Sequence, residues 1–306
     1  MHLKKDKEMP KISVVLGTLN QCDKLEKVLV SFETQSLSPD DYEVIVVDST
    51  SSDSTENFLK NYHPTYHFQY RIQENKGKAA ARNRGVEMAT SRLIMITDAD
   101  MIAHPNLLKT HLDAQEHAKE PSSFEGLTYN MENYDWPPKP ETLSPYIQKN
   151  YDDHAKLGWY YFLTGNISFP KSLFEKMGPF DEAFKGYGWE DLELGYRFFK
   201  AKITHSYLKN AINYHYHVLD KNEEITRNYH KGKSARLFLK KHPELKWFLG
   251  LNPLSVFVFK QISDEGTIIT FFTKWLKNPE ASIRKKFAIW FLGEYSYLSG
   301  ILSIKN

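Results

Sequence analysis

The chain has 306 residues, of which 41% are apolar and 14% aromatic, enough to bury a sizeable core in one large domain or in one domain with an appendage. Its 40 Lys and Arg residues nearly balance 38 Asp and Glu residues, which argues against the strongly basic surface of a nucleic-acid-binding protein. The single cysteine, Cys22, excludes an internal disulfide and cysteine-based zinc sites. Because the start MHLKKDKEMPKIS lacks the apolar core of a signal peptide, we expect a cytoplasmic protein.

The first hundred residues alternate short β-branched runs with helical patterns. The runs KISVVLG, YEVIVVD, FQYRIQE and RLIMITD are predicted strands, and the segments between them include predicted helices. This order predicts an α/β fold with a Rossmann-like, mostly parallel central sheet and helices on both faces. Ligands of such sheets bind beyond the carboxyl ends of the strands. The polar residues at these ends are Thr18, Asn20, Asp48, Asp98 and Asp100.

The pattern loosens between residues 120 and 160. The stretch PSSFEGLTYNMENYDWPPKPETLSPY is rich in Pro, Tyr and Asn, which predicts a long surface segment. Order returns with a predicted strand and short helix in WYYFLTGNISFPKSLFEKMGPF, and a further helix is predicted from the acids of WEDLELGYRFFKA. After about residue 230, basic and aromatic helical patterns predominate, and we interpret 231–306 as a helical C-terminal extension.

Two carboxylates, Asp98 and Asp100, follow the buried run LIMIT with one residue between them. Carboxylates are costly to desolvate unless something positive lies beside them. A divalent cation such as Mn²⁺ or Mg²⁺, which prefers oxygen ligands, is a common partner for such a pair. A D-x-D occurs often by chance, but its position on the same edge as Asp48 favours a metal-bound nucleotide diphosphate.

Four motifs in order carry a family resemblance. ISVVLGTLNQCDKLEKVLVSFETQ, YEVIVVDSTSSDST, NKGKAAARNRGVEMA and LIMITDADMIAHP together resemble the family 2 glycosyltransferases of GT-A fold, over residues 11–117. LTGNISFPKSLFEKMGPFDEAFKGYGWEDLELGYRF resembles the segment shared by galactosyltransferases, N-acetylgalactosaminyltransferases and chondroitin-type polymerases. The resemblance implies a GT-A domain over 1–230, with a nucleotide-sugar half at 11–117 and an acceptor half at 118–230.

The resemblance also implies residue roles at the donor site. Thr18 and Asp48 would contact the uracil and ribose of a UDP-sugar, with Asn20 in the same loop. Lys78 and Arg82 match positions that approach the nucleotide or its phosphates, where cations face a dianion. The alternative for Arg82 is a solvated helix face on which it pairs with a neighbouring residue.

A metal site is implied by the same resemblance. Asp98 matches the acid on the ribose side or bound through water, and Asp100 matches the direct metal ligand. His217 in HVLDK matches a histidine that completes the metal site of the galactosyltransferase-like group. If this stretch is a strand, His215 points to the same face and is a weaker candidate.

The stretch GYGWED is the predicted acceptor site. Transfer needs a base for the proton of the attacking hydroxyl, and we expect Asp191 to be that base, with Glu190 binding the acceptor sugar. Flanking glycines suit a loop in which Tyr187 or Trp189 stacks on a sugar ring. The alternative is that both acids only interact with the dipole of the helix they begin.

These expectations describe a metal-dependent inverting glycosyltransferase that moves a hexose or N-acetylhexosamine from a UDP-sugar to a carbohydrate or glycolipid acceptor in polysaccharide or glycoconjugate synthesis. The alternatives are a sugar-nucleotidyltransferase, although GTLNQCDK lacks the glycine-rich basic loop such an enzyme needs, and a non-catalytic carbohydrate-binding protein. The chain has no Gln-x-x-Arg-Trp motif and no bundle of bilayer-length apolar runs, which argues against a membrane-embedded polymerase.

The final helical pattern, KKFAIWFLGEYSYLSGILSIKN, is amphipathic. A helical wheel places Phe287, Trp290 and Phe291 on an apolar side and Gly293 and Ser296 on the opposite side. We expect the apolar side to pack on the protein or at a dimer contact. The alternative is an interfacial helix at the inner face of a membrane that carries a lipid-linked acceptor.

Overall fold

The computed structural model describes residues 9–131, 133–134, 136–139, 143–145, 151–216, 221–265, 267–276 and 283–303. The chain divides into two compact units. Unit 1 comprises Met1–Glu182 and Glu190–Val218, and unit 2 comprises Ala183–Trp189 and Leu219–Asn306. The expected boundary at residue 230 falls within a helix, Lys221–Lys241, and the division into nucleotide-sugar and acceptor halves stays a prediction.

The first part of unit 1 has the predicted alternation of strands and helices. The elements are β1 (Ile12–Thr18), α1 (Cys22–Phe32), β2 (Tyr42–Asp48), α2 (Thr55–Asn61), β3 (His67–Ile72), α3 (Lys78–Met88) and β4 (Leu93–Asp98). The strands lie in the order β3-β2-β1-β4, and all three pairings are parallel. This part confirms the α/β class.

Successive side chains of β1 point to opposite faces of the sheet, as the strand period of two requires. Val14 and Leu16 pack with Leu25 of α1 on one face. Val15 packs with Val86 of α3 on the other face. Helices therefore cover both faces, which is why these strands are continuous apolar runs rather than alternating ones.

The rest of unit 1 extends the sheet with mixed pairing. Its elements are β5 (Met101–Ala103), α4 (Leu107–His117), β6 (Ser122–Met131), β7 (Leu143–Pro145), β8 (Asn166–Pro170), α5 (Lys171–Met177), α6 (Glu190–Lys200) and β9 (Thr204–Tyr216). Among the described residues the full order is β3-β2-β1-β4-β8-β6-β9-β5, with β7 beside β6. Strand β8 is antiparallel to β4 and β6, whereas β6 and β9 are parallel.

The expectation of a long surface segment between residues 120 and 160 is wrong for β6, which is a mostly buried strand. Its sequence is polar, yet most of its residues are buried between β8 and β9. The buried polar side chains have partners on other segments: Thr128 Oγ1 donates to Asn213 Oδ1 at 2.7 Å, and the Leu163 amide donates to Glu125 Oε2 at 3.1 Å. Because these partners are distant in sequence, local composition could not reveal that this segment is buried.

Unit 2 contains four α-helices within the described part of the chain: α7 (Lys221–Lys241), α8 (Pro253–Glu265), α9 (Thr267–Leu276) and α10 (Ile283–Leu302). A Cβ placed on Gly300 would lie 2.2 Å from the Tyr229 carbonyl oxygen, so α10 approaches α7 through a glycine. None of the helices, as far as the chain is described, is long and apolar enough to cross a membrane.

Helix α10 packs only partly through the side that was expected. Its buried residues include Ala288, Leu292 and Gly293, whereas Phe287 and Trp290 are 46% and 58% exposed. Phe287 and Trp290 stay largely exposed in the single chain because the small residues on the other side of α10 permit the closest approach of α7, and the expected dimer contact stays a prediction.

Candidate active site

The predicted polar residues meet at one edge of the sheet. In the parallel register, Thr18 pairs with Asp48 and Gly17 pairs with Asp98, so β1, β2 and β4 end side by side. The Thr18 Oγ1 atom is buried and accepts or donates no hydrogen bond among the described residues. A buried hydroxyl without a partner is costly, and a bound ligand could satisfy it.

Asp48 organises the loops after β1 and β2. It is fully buried, and its carboxylate accepts hydrogen bonds from the Ser51 amide, at 3.0 Å, and from the Ser51 hydroxyl. The backbone N–H of Asn20 donates to Ser51 Oγ at 2.8 Å, and the side-chain Oδ1 of Asn20 accepts from the backbone N–H of Ser52 at 2.7 Å. Asn20 has a φ of 53°, a left-handed conformation that asparagine tolerates better than most residues. These bonds hold the two loops together.

Helix α3 lies unusually close to β1. A Cβ on Gly85 would lie 2.3 Å from Val15 Cγ1, and a Cβ on Gly17 would lie 3.1 Å from Ala81 Cβ. The small residues of KAAARNRG thus allow the helix to approach the sheet closely. As a result, Arg82 is only 3% exposed.

Arg82 links Asp98, at the end of β4, to Glu190, at the start of α6. Its Nη2 donates to Asp98 Oδ1 at 2.9 Å, and its Nη1 donates to Glu190 Oε1 at 2.7 Å. The alternative of a solvated Arg82 is therefore wrong. The sequence indicated a cation near the nucleotide but did not identify Glu190, which comes 108 residues later, as a partner.

Two neighbouring cations, Lys78 and Arg82, keep the Asp98 carboxyl group ionised. Burial disfavours its ionised form, but the charges of Lys78 and Arg82 outweigh this and lower the pKa of Asp98. In turn the Asp98 carboxylate raises the pKa of Lys78. Asp98 is therefore an anion whose charge is already balanced by protein cations.

The neighbouring acids Glu190 and Asp191 begin α6 but differ in environment. Glu190 Oε2 is buried without a hydrogen bond from any described residue, while Oε1 is held by Arg82. Burial and the charge of Glu190 raise the pKa of Asp191 to about 7, although Arg82 opposes the shift. A carboxylate with a pKa near neutrality can exchange a proton readily.

A second buried acid, Glu125 of β6, was not identified from the sequence. Burial raises its pKa well above the usual range, and the charge of Asp191 adds to the shift. It follows no motif and lies in the segment that was expected to be a surface loop. Local sequence offered no signal for it.

The candidate metal ligands are partly described. Asp100 Oδ2 lies 3.6 Å from His215 Nε2 because β5 and β9 pair Met101 with His215. His215 Nδ1 donates to Asn130 Oδ1 at 3.2 Å, so Nε2 is the nitrogen directed toward the carboxylate. The more favoured candidate, His217, lies outside the described residues.

A carboxylate and an imidazole nitrogen are a donor set that suits Mn²⁺. Among the residues that the structure describes, no group of three His, Cys, Asp or Glu side chains is arranged to hold a metal ion. Asp100 and His215 thus provide a chemically suitable pair. The ligand set predicted from Asp98, Asp100 and His217 stays a prediction.

The predicted acceptor aromatics lie in the loop that belongs to unit 2. The Tyr187 ring is 40% exposed, and the cations of Arg227 and Lys231 lie 5.4 and 5.7 Å from its centroid. Trp189 has a φ of 76° and packs on Phe238, with ring centroids 5.1 Å apart. A strained non-glycine residue in a loop held by aromatic packing is typical of a functional position.

Comparison with known sequences gives two family matches. Residues 13–178, more than half of the chain, match the profile described as "Glycosyl transferase family 2". Residues 147–221 match the profile described as "N-terminal domain of galactosyltransferase". A curated relative, a validoxylamine A glucosyltransferase of Streptomyces hygroscopicus subsp. limoneus, is 29% identical over 216 residues, covering 62% of this chain and 48% of its own length. The chain therefore spans about half the length of this relative.

Two solved structures share the fold. The mannosyltransferase PcManGT of Pyrobaculum calidifontis, in complex with GDP-Man and Mn²⁺, has a TM-score of 0.62 and 16% identity, with 97% of this chain and 89% of that chain covered. S. aureus TarS 1–349, in complex with UDP-GlcNAc, has a TM-score of 0.56 and 14% identity, with 95% and 81% covered. At these identities the likeness concerns the fold alone, and it supports the GT-A architecture predicted above.

Proposed function

Because this chain belongs to glycosyl transferase family 2, we propose that it transfers a hexose or N-acetylhexosamine from a UDP-sugar to a carbohydrate hydroxyl, with inversion, in polysaccharide or glycoconjugate synthesis. The single observation that carries the proposal is the Arg82 bridge, which joins Asp98 of the predicted nucleotide-sugar half to Glu190 of the predicted acceptor half. A transferase needs these two halves adjacent, since donor and acceptor must meet within bonding distance.

At the donor end, Thr18 and Asp48 bind the uracil and ribose. The unpartnered Thr18 hydroxyl supports this role. Asp48 is already bonded to Ser51, so it contributes through its remaining lone pairs and by holding Asn20 in place. Lys78 faces the diphosphate, and Arg82 acts mainly on the two acids rather than on the phosphates.

At the acceptor end, Asp191 is the base. Its carboxylate takes the proton of the acceptor hydroxyl while that oxygen bonds to the anomeric carbon, and the bond from that carbon to the diphosphate oxygen breaks on the opposite face. This single displacement inverts the configuration. The free Oε2 of Glu190 accepts from a second acceptor hydroxyl. Stacking of a sugar on Tyr187 or Trp189 is proposed from the GYGWED motif alone.

The proposed ligands of Mn²⁺ or Mg²⁺, which would act on the leaving group, are Asp100 and His217. Asp98 and His215 are the further candidates. A bound divalent ion would neutralise the charge of the departing diphosphate. Asp100 and His215, 3.6 Å apart, are the described side chains that support this placement.

The proposal is tested by incubating the full chain with a panel of UDP-sugars and GDP-mannose, with simple glycan acceptors, in Mn²⁺, Mg²⁺ or EDTA. We expect acceptor-dependent UDP release and a product heavier by one sugar, lost in EDTA and restored by Mn²⁺. Asp100→Asn should abolish release, while Asp113→Asn, at an exposed position on α4, should not. Turnover that is unchanged in EDTA would exclude the metal role, and release of GDP alone would exclude the UDP donor. Thermal midpoints of both variants must match the parent for the comparison to hold.

A further inference from the structure

Helices α8 to α10 of unit 2 leave large apolar side chains in water. The exposed members are Leu254, Phe257 and Val258 of α8, Phe271 of α9, and Ile283, Phe287 and Trp290 of α10. Ile283 is 86% exposed and Trp290 is 58% exposed. Isolated exposed apolar residues are ordinary, but a concentration of aromatic side chains on neighbouring helices marks an interaction surface.

The aromatic side of α10 is uncovered because the helix packs through its other side. Gly232 of α7 and Gly300 of α10 meet so closely that a Cβ on either would lie within 2.2 Å of a backbone oxygen of the other helix. This contact fixes the rotation of α10 about its axis. Phe287 and Trp290 consequently face outward.

Helix α9 joins the same surface. Phe272 packs on Phe287 and Phe291 of α10, with ring centroids 5.6 and 4.3 Å apart. Phe271, the next residue on α9, is half exposed. We call the surface formed by Phe271, Ile283, Phe287 and Trp290 the aromatic face.

Basic residues lie close in sequence to the aromatic face. Between residues 267 and 294 the sequence has five basic residues, Lys274, Lys277, Arg284, Lys285 and Lys286, against two acids, Glu280 and Glu294. Lys274, Arg284 and Lys286 are exposed in the structure. The Arg284 guanidinium lies 5.9 Å from the Trp275 ring centroid, which places a cation beside the aromatic residues.

We propose that unit 2 docks on an anionic lipid surface through the aromatic face. Exposed Trp and Phe side chains insert at the boundary between headgroups and acyl chains, and Lys and Arg bind the anionic headgroups. A second copy of this chain fits less well, since a two-fold contact would place the same basic residues against each other. The proposal concerns binding alone and does not depend on the proposed function.

The experiment is co-sedimentation of the full chain with phosphatidylcholine vesicles, and with vesicles in which about one third of the lipid is phosphatidylglycerol. We expect the chain to bind the anionic vesicles more tightly and the binding to weaken in about 0.5 M salt. Failure of the parent chain to bind anionic vesicles at low salt would overturn the proposal.

Three variants assign the binding to the aromatic face. The double variant Phe287→Ser/Trp290→Ser and the triple variant Lys274→Gln/Arg284→Gln/Lys286→Gln should each lower vesicle affinity at least about tenfold. Phe199→Ser removes an aromatic side chain that is similarly exposed, at 56%, but lies in unit 1, and it should bind as the parent does.

Equal affinity of the double variant and the parent would overturn the proposal. A second result would also overturn it: the parent chain is a dimer that does not bind vesicles, and the double variant is a monomer. The aromatic face would then be a contact between two copies of the chain. Far-ultraviolet circular dichroism and thermal midpoints establish that each variant is folded. The triple variant replaces exposed charged side chains, so we expect its midpoint to be close to the parent's, whereas the double variant also loses the contact of Phe287 with Phe272 and should have a somewhat lower midpoint.

Discussion

Arg82 and its two carboxylates stabilise one another. A guanidinium that is 3% exposed would be strongly destabilising without an anionic partner, and Glu190, which is 4% exposed, depends on Arg82 in the same way. Since Asp98 and Glu190 bind the two terminal nitrogens of one rigid planar group, Arg82 sets the distance between them. It is therefore a positioning residue for both acids.

Arg82→Lys tests this role. A lysine keeps the charge but cannot donate to both acids through a planar fork, so we expect kcat/KM to fall about 10-fold to 100-fold, with a stability loss of about 1–3 kcal/mol. Arg84→Lys is the matched control, since Arg84 is an exposed neighbour on α3 whose pair with Glu87 should be worth less than about 1 kcal/mol. Steady-state kinetics and urea unfolding measure both. Equal effects of the two variants would show that the Arg82 bridge has no special importance.

Asp191→Asn separates the base from the binding residues. The amide keeps the size of the side chain but cannot accept a proton, so we expect kcat to fall about 10²-fold to 10⁴-fold while UDP-sugar affinity, measured by calorimetry, stays unchanged. Glu190→Gln should mainly raise the KM of the acceptor. A kcat of Asp191→Asn near that of the parent would remove the assignment of the base.

The pH dependence follows from the pKa of Asp191, about 7. The base acts only when deprotonated, so kcat should fall about tenfold per unit below pH 7 and level off above it. Because the folded pKa is above the unfolded one, the folded state holds a proton that the unfolded state loses, and stability falls as pH rises from about 4 to 7. Asp191→Asn should therefore raise the thermal midpoint at pH 8 and change it little near pH 4. A lower midpoint at pH 8 would contradict the raised pKa.

Among the elements, α3 connects the fold to the site. Its small residues bring it against β1, Arg82 reaches the acids from it, and Asn83 accepts from the Phe180 amide and donates to the Phe180 carbonyl, both at 2.9 Å. The same helix thus holds the acids and the segment around Phe180. A change in its distance from the sheet would move both.

Gly85→Ala tests the close contact of α3. Alanine favours a helix by about 1 kcal/mol over glycine, but its Cβ would lie 2.3 Å from Val15 Cγ1, and overpacking of this kind costs about 1–3 kcal/mol. We expect a net loss of stability in urea unfolding and a lower kcat/KM. Glu87→Ala, at an exposed position of α3, should change stability by less than about 0.5 kcal/mol. A more stable Gly85→Ala variant would show that β1 and α3 can separate without cost.

At the scale of the whole molecule, the two units depend on different contacts. Unit 1 is built on a sheet with apolar clusters on both faces, whereas in unit 2 α7 and α10 meet at Gly232 and Gly300. At Gly85 in unit 1 an added methyl group meets a side chain, Val15, which can shift in part, but at Gly300 it meets backbone, which has no side chain to move. Unit 2 should therefore be sensitive to single added methyl groups.

Gly300→Ala, which adds one methyl group, tests this sensitivity. The new Cβ would meet the Tyr229 carbonyl oxygen at 2.2 Å, so we expect a loss of about 1–3 kcal/mol in unit 2. Limited proteolysis with mass spectrometry should show faster cleavage after residue 219 and unchanged cleavage within residues 9–182. Glu294→Gln, at an exposed position of α10, is the control and should be cleaved like the parent. Faster cleavage throughout the chain would contradict a local effect.

Part of the fold and of the site could be predicted from local patterns. The strands that end at Thr18, Asp48 and Asp98 are continuous apolar runs with a polar residue at the carboxyl end, and parallel pairing then brings those ends to one edge. The acids at the start of α6 were likewise visible. Their division into base (Asp191) and acceptor ligand (Glu190) was also expected from the sequence, and it stays a prediction.

The sequence by itself determined the α/β class, the edge at which the polar strand ends meet, and the family. Apolar periodicity and motif order are local properties, so they can be recognised in the sequence without knowledge of the fold. Only the tertiary structure decided that Arg82 binds Glu190, that β6 is buried, and that the aromatic side of α10 faces outward. Each of these depends on a partner far along the chain. A side chain's charge balance and burial are set by whatever folding places beside it, and no local pattern specifies that neighbour.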